Sequence, residues 1–265
     1  MEQISSRQNA TVKRFRALAQ ARSGNDVLLE GAHLVEEGLT SGLTFDTVVF
    51  SESAASGRLA SLLSRARQSG SRVAIVTDAV FPALSPVPHP TGAAAIAHLA
   101  RSTMDAVLGK RLQLVMMVDG VQDPGNMGAI IRAAEACGAT GVIAAGGSAD
   151  PFGWKALRGS MGSTLRLPVV QTDSLIEAVD AAHAAGIRVF AAIPRQGRRL
   201  ADCDLRGPSA VILGGEGPGL SDPLLKRVDQ RLTIPMQPPV ESLNVAVAAA
   251  IVLYEAARQR TDVAV

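Results

Sequence analysis

Leu114-Val-Met-Met-Val118 runs directly into Asp119-Gly-Val-Gln-Asp-Pro-Gly-Asn126 and then Met127-Gly-Ala-Ile-Ile-Arg132. The first five residues are an unbroken apolar run. That fits a strand of a parallel sheet, buried on both faces, better than a strand with one wet side. Pro124 and Gly125 make a turn, and Asn126 is a natural N-cap for a helix over residues 127–137. On that helix Ile130, Ile131, Ala134 and Cys137 share one face, and Arg132 points away from it. Strand, polar turn and helix in this order put the turn at the carboxyl end of the strand, where ligands collect in open α/β sheets. Taken alone, Arg132 reads as a surface arginine rather than a catalytic one, and Cys137 as a small buried hydrophobe.

The same alternation extends both ways. Upstream, β-rich runs over residues 27–29, 47–50, 73–76 and 93–97 are separated by helical stretches near 12–21, 32–40 and 59–67. This predicts an α/β domain with a substantially parallel sheet. Ser85-Pro-Val-Pro-His-Pro-Thr-Gly92 is irregular, because three prolines fit neither a helix interior nor a central strand. Residues 99–110 are polar and read as a linker. Downstream, strands are expected over 114–118, 142–145, 169–171, 189–192, 210–213 and 231–234. Helices are expected over 127–137, 175–185, 223–228 and 245–258.

Composition narrows the function. Hydrophobic residues are 47% and charged residues 19% of the 265-residue chain, so it is globular rather than disordered. Aromatics are 3%, which argues against modules that stack bases on aromatic platforms. A net charge of +2 is too weak by itself to demand nucleic acid. The first 22 residues nevertheless hold Arg7, Lys13, Arg14, Arg16 and Arg22 against Glu2 alone, which fits a solvated helix face or an RNA contact equally. Cys137 and Cys203 form no CxxC pair and the four histidines no ligand pattern, so no metal is expected. The start of the chain lacks an apolar signal core, and the apolar run at 245–254 is too short to span a bilayer, so a cytoplasmic protein is expected.

Two more segments look chemical. Leu213-Gly-Gly-Glu-Gly-Pro-Gly-Leu-Ser221 follows an apolar run and packs four glycines into six residues, which lets backbone approach a ligand closely. It is neither a Walker loop nor a dinucleotide fingerprint, and Glu216 is an expensive carboxylate there without a defined partner. Ile234-Pro-Met-Gln-Pro-Pro-Val-Glu-Ser-Leu-Asn244 precedes a helix apolar almost all round, hence buried in a core or an interface. Ser242 or Asn244 would serve simply as its cap.

Together and in this order, the three segments resemble the motifs of the SpoU/TrmH family of RNA ribose methyltransferases. They match its Asn-then-Arg motif, its Gly-Glu-Gly loop and its Ser-Leu-Asn-Val motif. Asp150-Pro-Phe-Gly-Trp-Lys-Ala-Leu-Arg-Gly-Ser-Met-Gly162 is similar to the family's intervening segment. The resemblance covers most of residues 112–260. The basic start and Leu29-Glu-Gly-Ala-His-Leu-Val35 resemble, less closely, the ribosomal-protein-like RNA-binding domain often fused ahead of it. Gly215 departs from the pattern, since many relatives carry a side chain there, often Asn.

The resemblance implies an α/β fold: a parallel-sheet domain with a deep trefoil knot at residues 112–265, a smaller α/β RNA-binding domain at 1–98 and a linker at 99–111. Periodicity alone would never suggest a knot. It implies S-adenosylmethionine as cofactor, held by Gly214, Gly215, Ile234, Met236 and Leu243, and pairing of two chains through the knot. Arg132 would be the residue most tied to transfer of a methyl to a ribose 2′-oxygen, with Asn126, Glu216, Ser242 and Asn244 shaping the site. Arg7, Lys13, Arg14, Lys155 and Arg158 would contact RNA. A guanidinium, with a pKa above about 12, is a poor base, so Arg132 is expected to orient phosphate or stabilise oxyanion charge. The leading domain favours ribosomal over transfer RNA. A non-catalytic RNA-binding assembly factor of the same fold, and an unrelated nucleotide-dependent enzyme, are the competing readings.

Overall fold

The computed structural model describes residues 2–21, 24–109, 112–215, 217 and 219–261. In chain order the elements are β1 (Glu2–Ile4), α1 (Ala10–Gln20), β2 (Asp26–Glu30), α2 (Ala32–Thr40), β3 (Thr44–Ser51), α3 (Glu52–Ser56), α4 (Ala60–Gln68), β4 (Arg72–Val76), β5 (Ala93–His98), α5 (Met104–Leu108), β6 (Leu114–Asp119) and α6 (Pro124–Ala136). There follow β7 (Gly141–Ala145), α7 (Trp154–Ser160), α8 (Ser163–Arg166), β8 (Val169–Gln171), α9 (Leu175–Ala184), β9 (Arg188–Ala192), β10 (Arg198–Arg199), β11 (Ser209–Gly214), α10 (Asp222–Leu225), β12 (Gln230–Thr233) and α11 (Val245–Thr261). They form two compact units. One comprises the residues up to Ala100 together with Phe152–Arg166. The other comprises Arg101–Pro151 and the residues from Leu167 onward.

The first unit holds a five-stranded sheet in the order β1-β4-β3-β5-β2. The expected parallel character is only half right. β1, β4 and β3 are parallel, but β5 runs antiparallel to both β3 and β2. The proline-rich stretch carries the chain from β4 past β3 to β5 with no α-helix between them, unlike the helical crossovers that parallel neighbours need. Ile4, Val12, Phe15, Val49, Phe81 and Ile96 are fully buried at its centre. Trp154 packs against that core, from a helical segment within residues 152–166 that the apolar pattern of the sequence does not predict.

The second unit is a seven-stranded, wholly parallel sheet in the order β10-β12-β9-β11-β6-β7-β8. Leu114 to Val118 are at most 1% exposed, as a strand covered on both faces must be. α5 and α9 pack on one face, and α6 and α11 pack together on the other. The linker reading of residues 99–110 needs correction. Thr103 caps α5 through its hydroxyl oxygen, which accepts from Ala106 N at 3.3 Å, and Val107 and Leu108 belong to the core. The far end of α11 is pinned by Arg260. Its guanidinium donates to the carbonyls of Leu205 (2.9 Å), Leu112 (3.2 Å), Gln113 (2.9 Å) and Gly207 (2.8 Å).

Candidate active site

The loop after β6 is organised by Asp123, not by Asn126. Asp123 Oδ1 accepts from Asn126 N at 2.7 Å, so Asp123 is the N-cap of α6 and Pro124 takes the first helical position, where no N–H is needed. This places the half-buried Asn126 inside the first turn, where its side chain is available for a bond outside the helix. Asn244 Nδ2 donates to Asn126 Oδ1 at 3.1 Å, while Asn244 Oδ1 accepts from Ala246 N (2.9 Å) and Val247 N (3.2 Å). Asn244 is thus both the cap of α11 and a bridge to the first loop. Further along α6, Ile130, Ile131 and Ala134 are buried, and Arg132 is exposed with no hydrogen bond or ion pair among the described residues. Cys137 sits half-buried at the helix C-cap rather than in the core, because the apolar face of α6 ends at Ala134.

A cavity of about 380 Å³ opens at the carboxyl edge of the second unit's sheet. Its walls come from residues 192–194 after β9, from Leu213, Gly214, Gly215, Gly217, Gly219 and Leu220, from Ile234 and Met236 after β12, and from Ser242, Leu243, Val245 and Ala248. All five residues expected around the cofactor line it, and Ser242 joins them. Asn244 lies in sequence between two lining residues, and its bridge ties α6, the helix of Arg132, to the cavity. Glu216 lies outside the described residues. Ala192, Ile193 and Pro194 were missed, because an apolar strand end followed by one proline carries no chemical signal in sequence.

Glycine is required where the loops meet. A Cβ on Gly215 would fall 1.7 Å from the Gly120 carbonyl oxygen, and Gly215 N donates to Asp119 O at 2.6 Å. The first two motif loops therefore touch backbone to backbone, and the departure at Gly215 has a structural reason. A Cβ on Gly214 would lie 3.1 Å from the Gly219 carbonyl carbon. Beside them, burial pushes the Asp119 carboxyl above the usual carboxylate range.

The expected RNA-contacting residues all lie in the first unit. Lys13 is exposed, and Arg7 donates to Ala79 O at 3.4 Å. Arg14 is engaged by Asp46 (2.6 Å) and Asp26 (3.0 Å). Lys155 is exposed with its ammonium 5.5 Å from the Trp154 ring centroid. Arg158 lies 3.6 Å from Glu30. The described residues contain no group of His, Cys, Asp or Glu able to hold a metal, and no helix long and apolar enough to cross a membrane.

Comparison with known proteins agrees with this geometry. Residues 113–254 match the SpoU rRNA Methylase family, and residues 9–95 match an MRM3-like substrate binding domain. The 23S rRNA (guanosine(2553)-2′-O)-methyltransferase RlmP of Bacillus subtilis is 34% identical over 258 residues, covering 96% of this chain and 98% of that one. An AdoMet-bound rRNA methyltransferase from Sinorhizobium meliloti superposes with a TM-score of 0.85 at 28% identity over 97% of both chains. The SpoU methyltransferase AviRb from Streptomyces viridochromogenes, in complex with AdoMet, gives 0.84 at 28% identity over 96% of this chain and 99% of that one. With three motif loops gathered at one sheet edge and a match across more than half its length, the chain belongs to the SpoU methylase family.

Proposed function

We propose that the protein transfers a methyl group from S-adenosylmethionine to a ribose 2′-hydroxyl of ribosomal RNA. The observation that carries this is the cavity: the second and third motif segments line it, and the Asn244–Asn126 bridge ties it to the first motif and the helix of Arg132. The residues present fit the cofactor. Ile193, Leu213, Leu220, Ile234 and Leu243 offer apolar walls to a flat purine, and the glycine backbone at 214 and 215 leaves main-chain polar groups within reach of it. S-adenosylmethionine supplies an electrophilic methyl on a sulfonium that departs as a neutral thioether. Its relation to RlmP favours ribosomal RNA.

The chain's own task is the nucleophile, a weakly acidic ribose hydroxyl that must shed its proton near the transition state. No histidine or carboxylate lines the described cavity. Arg132 is assigned to hold a substrate phosphate or the developing oxyanion with its two-pronged donor, the phosphate taking the proton. Asn126, Ser242 and Asn244 shape the pocket around it, and Glu216 is assigned the same role from the family motif. Residues 1–98 bind the RNA.

The helix that follows the third motif supports a dimer. Val247, Ile251 and Tyr254 are 49%, 37% and 66% exposed, and their spacing of four and three residues puts them on one stripe. A second copy of the chain covers this stripe. The segment entering α11 shares the cavity with the loop after β11, and we assign it the family's trefoil knot.

Incubating the protein with labelled S-adenosylmethionine and unmodified ribosomal or transfer RNA transcripts, then identifying the nucleosides by mass spectrometry, tests this. A 2′-O-methylated nucleoside in ribosomal RNA that disappears with Arg132→Ala is the expected result. Transfer confined to transfer RNA would replace the substrate, and failure to bind the cofactor would sink the reading.

A further inference from the structure

Residues 152–166 lie within the stretch that matches the methylase family, yet they fold into the first unit. They carry Lys155, Arg158 and Arg166 and no acidic residue. Trp154 fastens them to the core of that unit, and α7 packs along β2. Arg166 pairs with Glu37, and Arg158 faces Glu30. These pairs differ in kind. The Glu30 side chain is 1% exposed at the end of β2 and accepts from Ser85 Oγ at 3.1 Å, whereas Arg158, 3.6 Å away, is 50% exposed. Burying a carboxylate is unfavourable, and an apolar residue at position 30 would serve packing better. What Glu30 does provide is aim. A guanidinium is a rigid fork of five donors, so attraction of one nitrogen toward Glu30, 3.6 Å away, biases the fork's direction and leaves its outer edge to solvent. Lys155, three residues earlier, shares that exposed helix face about 5–6 Å away, with its ammonium propped on Trp154.

We infer that Lys155 and Arg158 form a clamp for two phosphates of the substrate RNA, and that Glu30 is the positioning residue that aims Arg158. The inference rests on the RNA methyltransferase reading. It adds that the RNA-binding surface of the first unit is completed by a segment from inside the methylase sequence. Phosphate contacts fix register rather than base identity, so the clamp sets where the RNA lies and not which base is read.

The test is binding of the full-length protein to ribosomal RNA transcript across a salt series, with steady-state methyl transfer alongside. Lys155→Met and Arg158→Met should each weaken binding and flatten the log–log salt slope by roughly 0.7–0.9, the contribution of one phosphate. KM for RNA should rise while kcat and cofactor affinity hold. Glu30→Gln, which keeps the Ser85 bond, should weaken RNA binding in the wild-type background and change nothing in the Arg158→Met background. Arg158→Lys should keep the slope but lose affinity, because a point charge cannot be aimed; this variant decides the matter even if Glu30→Gln fails to fold. An unchanged slope in Arg158→Met, equal effects of Glu30→Gln in both backgrounds, or full affinity in Arg158→Lys would overturn the clamp while leaving the methyltransferase intact. Absence of methyl transfer to any RNA by the wild-type protein would remove both.

Discussion

Asn244→Asp separates the two jobs of one side chain. The carboxylate keeps both acceptor bonds to Ala246 N and Val247 N, and gains about 0.3–1 kcal/mol from a negative charge at a helix N-terminus. It loses the donor facing Asn126 Oδ1, a neutral hydrogen bond with a net value of about 1 kcal/mol. These terms nearly cancel, so Asn244→Asp should melt within a degree or two of wild type. Asn244→Ala loses the bridge and a cap worth about 1 kcal/mol, so it should lose about 2 kcal/mol and melt about 4–8 °C lower. Activity should separate from stability. Opposite a carboxylate, the Asn126 amide either loses its partner or turns over and presents its opposite end to everything it meets. A misoriented group worth about 1.4 kcal/mol in the transition state lowers the rate about tenfold. Thermal melts beside single-turnover methyl transfer, with saturating cofactor, read both quantities. If Asn244→Asp keeps the wild-type rate, Asn244 is a cap and nothing more, and the bridge has no part in the site.

Four further outcomes follow from the same geometry. Arg132→Lys should lose at least about tenfold in kcat/KM with its melting temperature unchanged, since an exposed lysine keeps charge but not the fork; full turnover would refute the need for a two-pronged donor. Gly215→Ala puts a Cβ into the Gly120 carbonyl, a backbone clash that costs about 1–3 kcal/mol and should weaken S-adenosylmethionine binding in calorimetry, whereas unaltered affinity would show that the loops can part freely. Arg260→Met strips four carbonyls of a shared donor and should cost about 3 kcal/mol in chemical denaturation; a loss under about 1 would mean that water replaces it. Ile251→Glu places a charge in the exposed stripe of α11 and should halve the mass read by light scattering if that stripe is the proposed dimer seam, while an unchanged dimeric mass at equal concentration would refute that seam.

Which parts were legible in the sequence depends on where the information resides. β6 and β7 read correctly because a strand buried on both faces is apolar without interruption, and α11 because only an interior or interface helix is apolar over most of its faces. The cap of α6 was misplaced by three residues. Asp and Asn both suit a cap, and only the hydrogen bond from Asn126 N to Asp123 decides between them. The mixed sheet of the first unit was illegible because an alternating pattern does not record strand direction. Residues 152–166 escaped for a related reason. Their partners, Glu30 and Glu37, lie more than a hundred residues away, and nothing local marks Arg158 as the mate of a buried carboxylate. At the site, single residues said little, since Asn244 is a cap on any local reading. Only the three segments together pointed to one site, two of them lining the cavity and the first joined to it through Asn126 and Gly120.

α11 explains why those segments must work as a set. Its first residue follows a cap that reaches the motif-one loop, and Val245 and Ala248 line the cavity. Its middle buries Ala249, Val252, Leu253 and Ala256 against the sheet and α6, and its end is tied by Arg260 to the residues that open β6. One helix thus runs from the start of β6 back to the loop at that strand's far end. Asn126 is held by the cap of that helix, so contacts four turns away are expected to bear on its orientation. Arg260→Met should therefore slow methyl transfer at temperatures where the protein is still fully folded, and Asn244→Asp should add little further loss in that background. Independent, additive losses would mean that α11 is a scaffold with two unrelated ends.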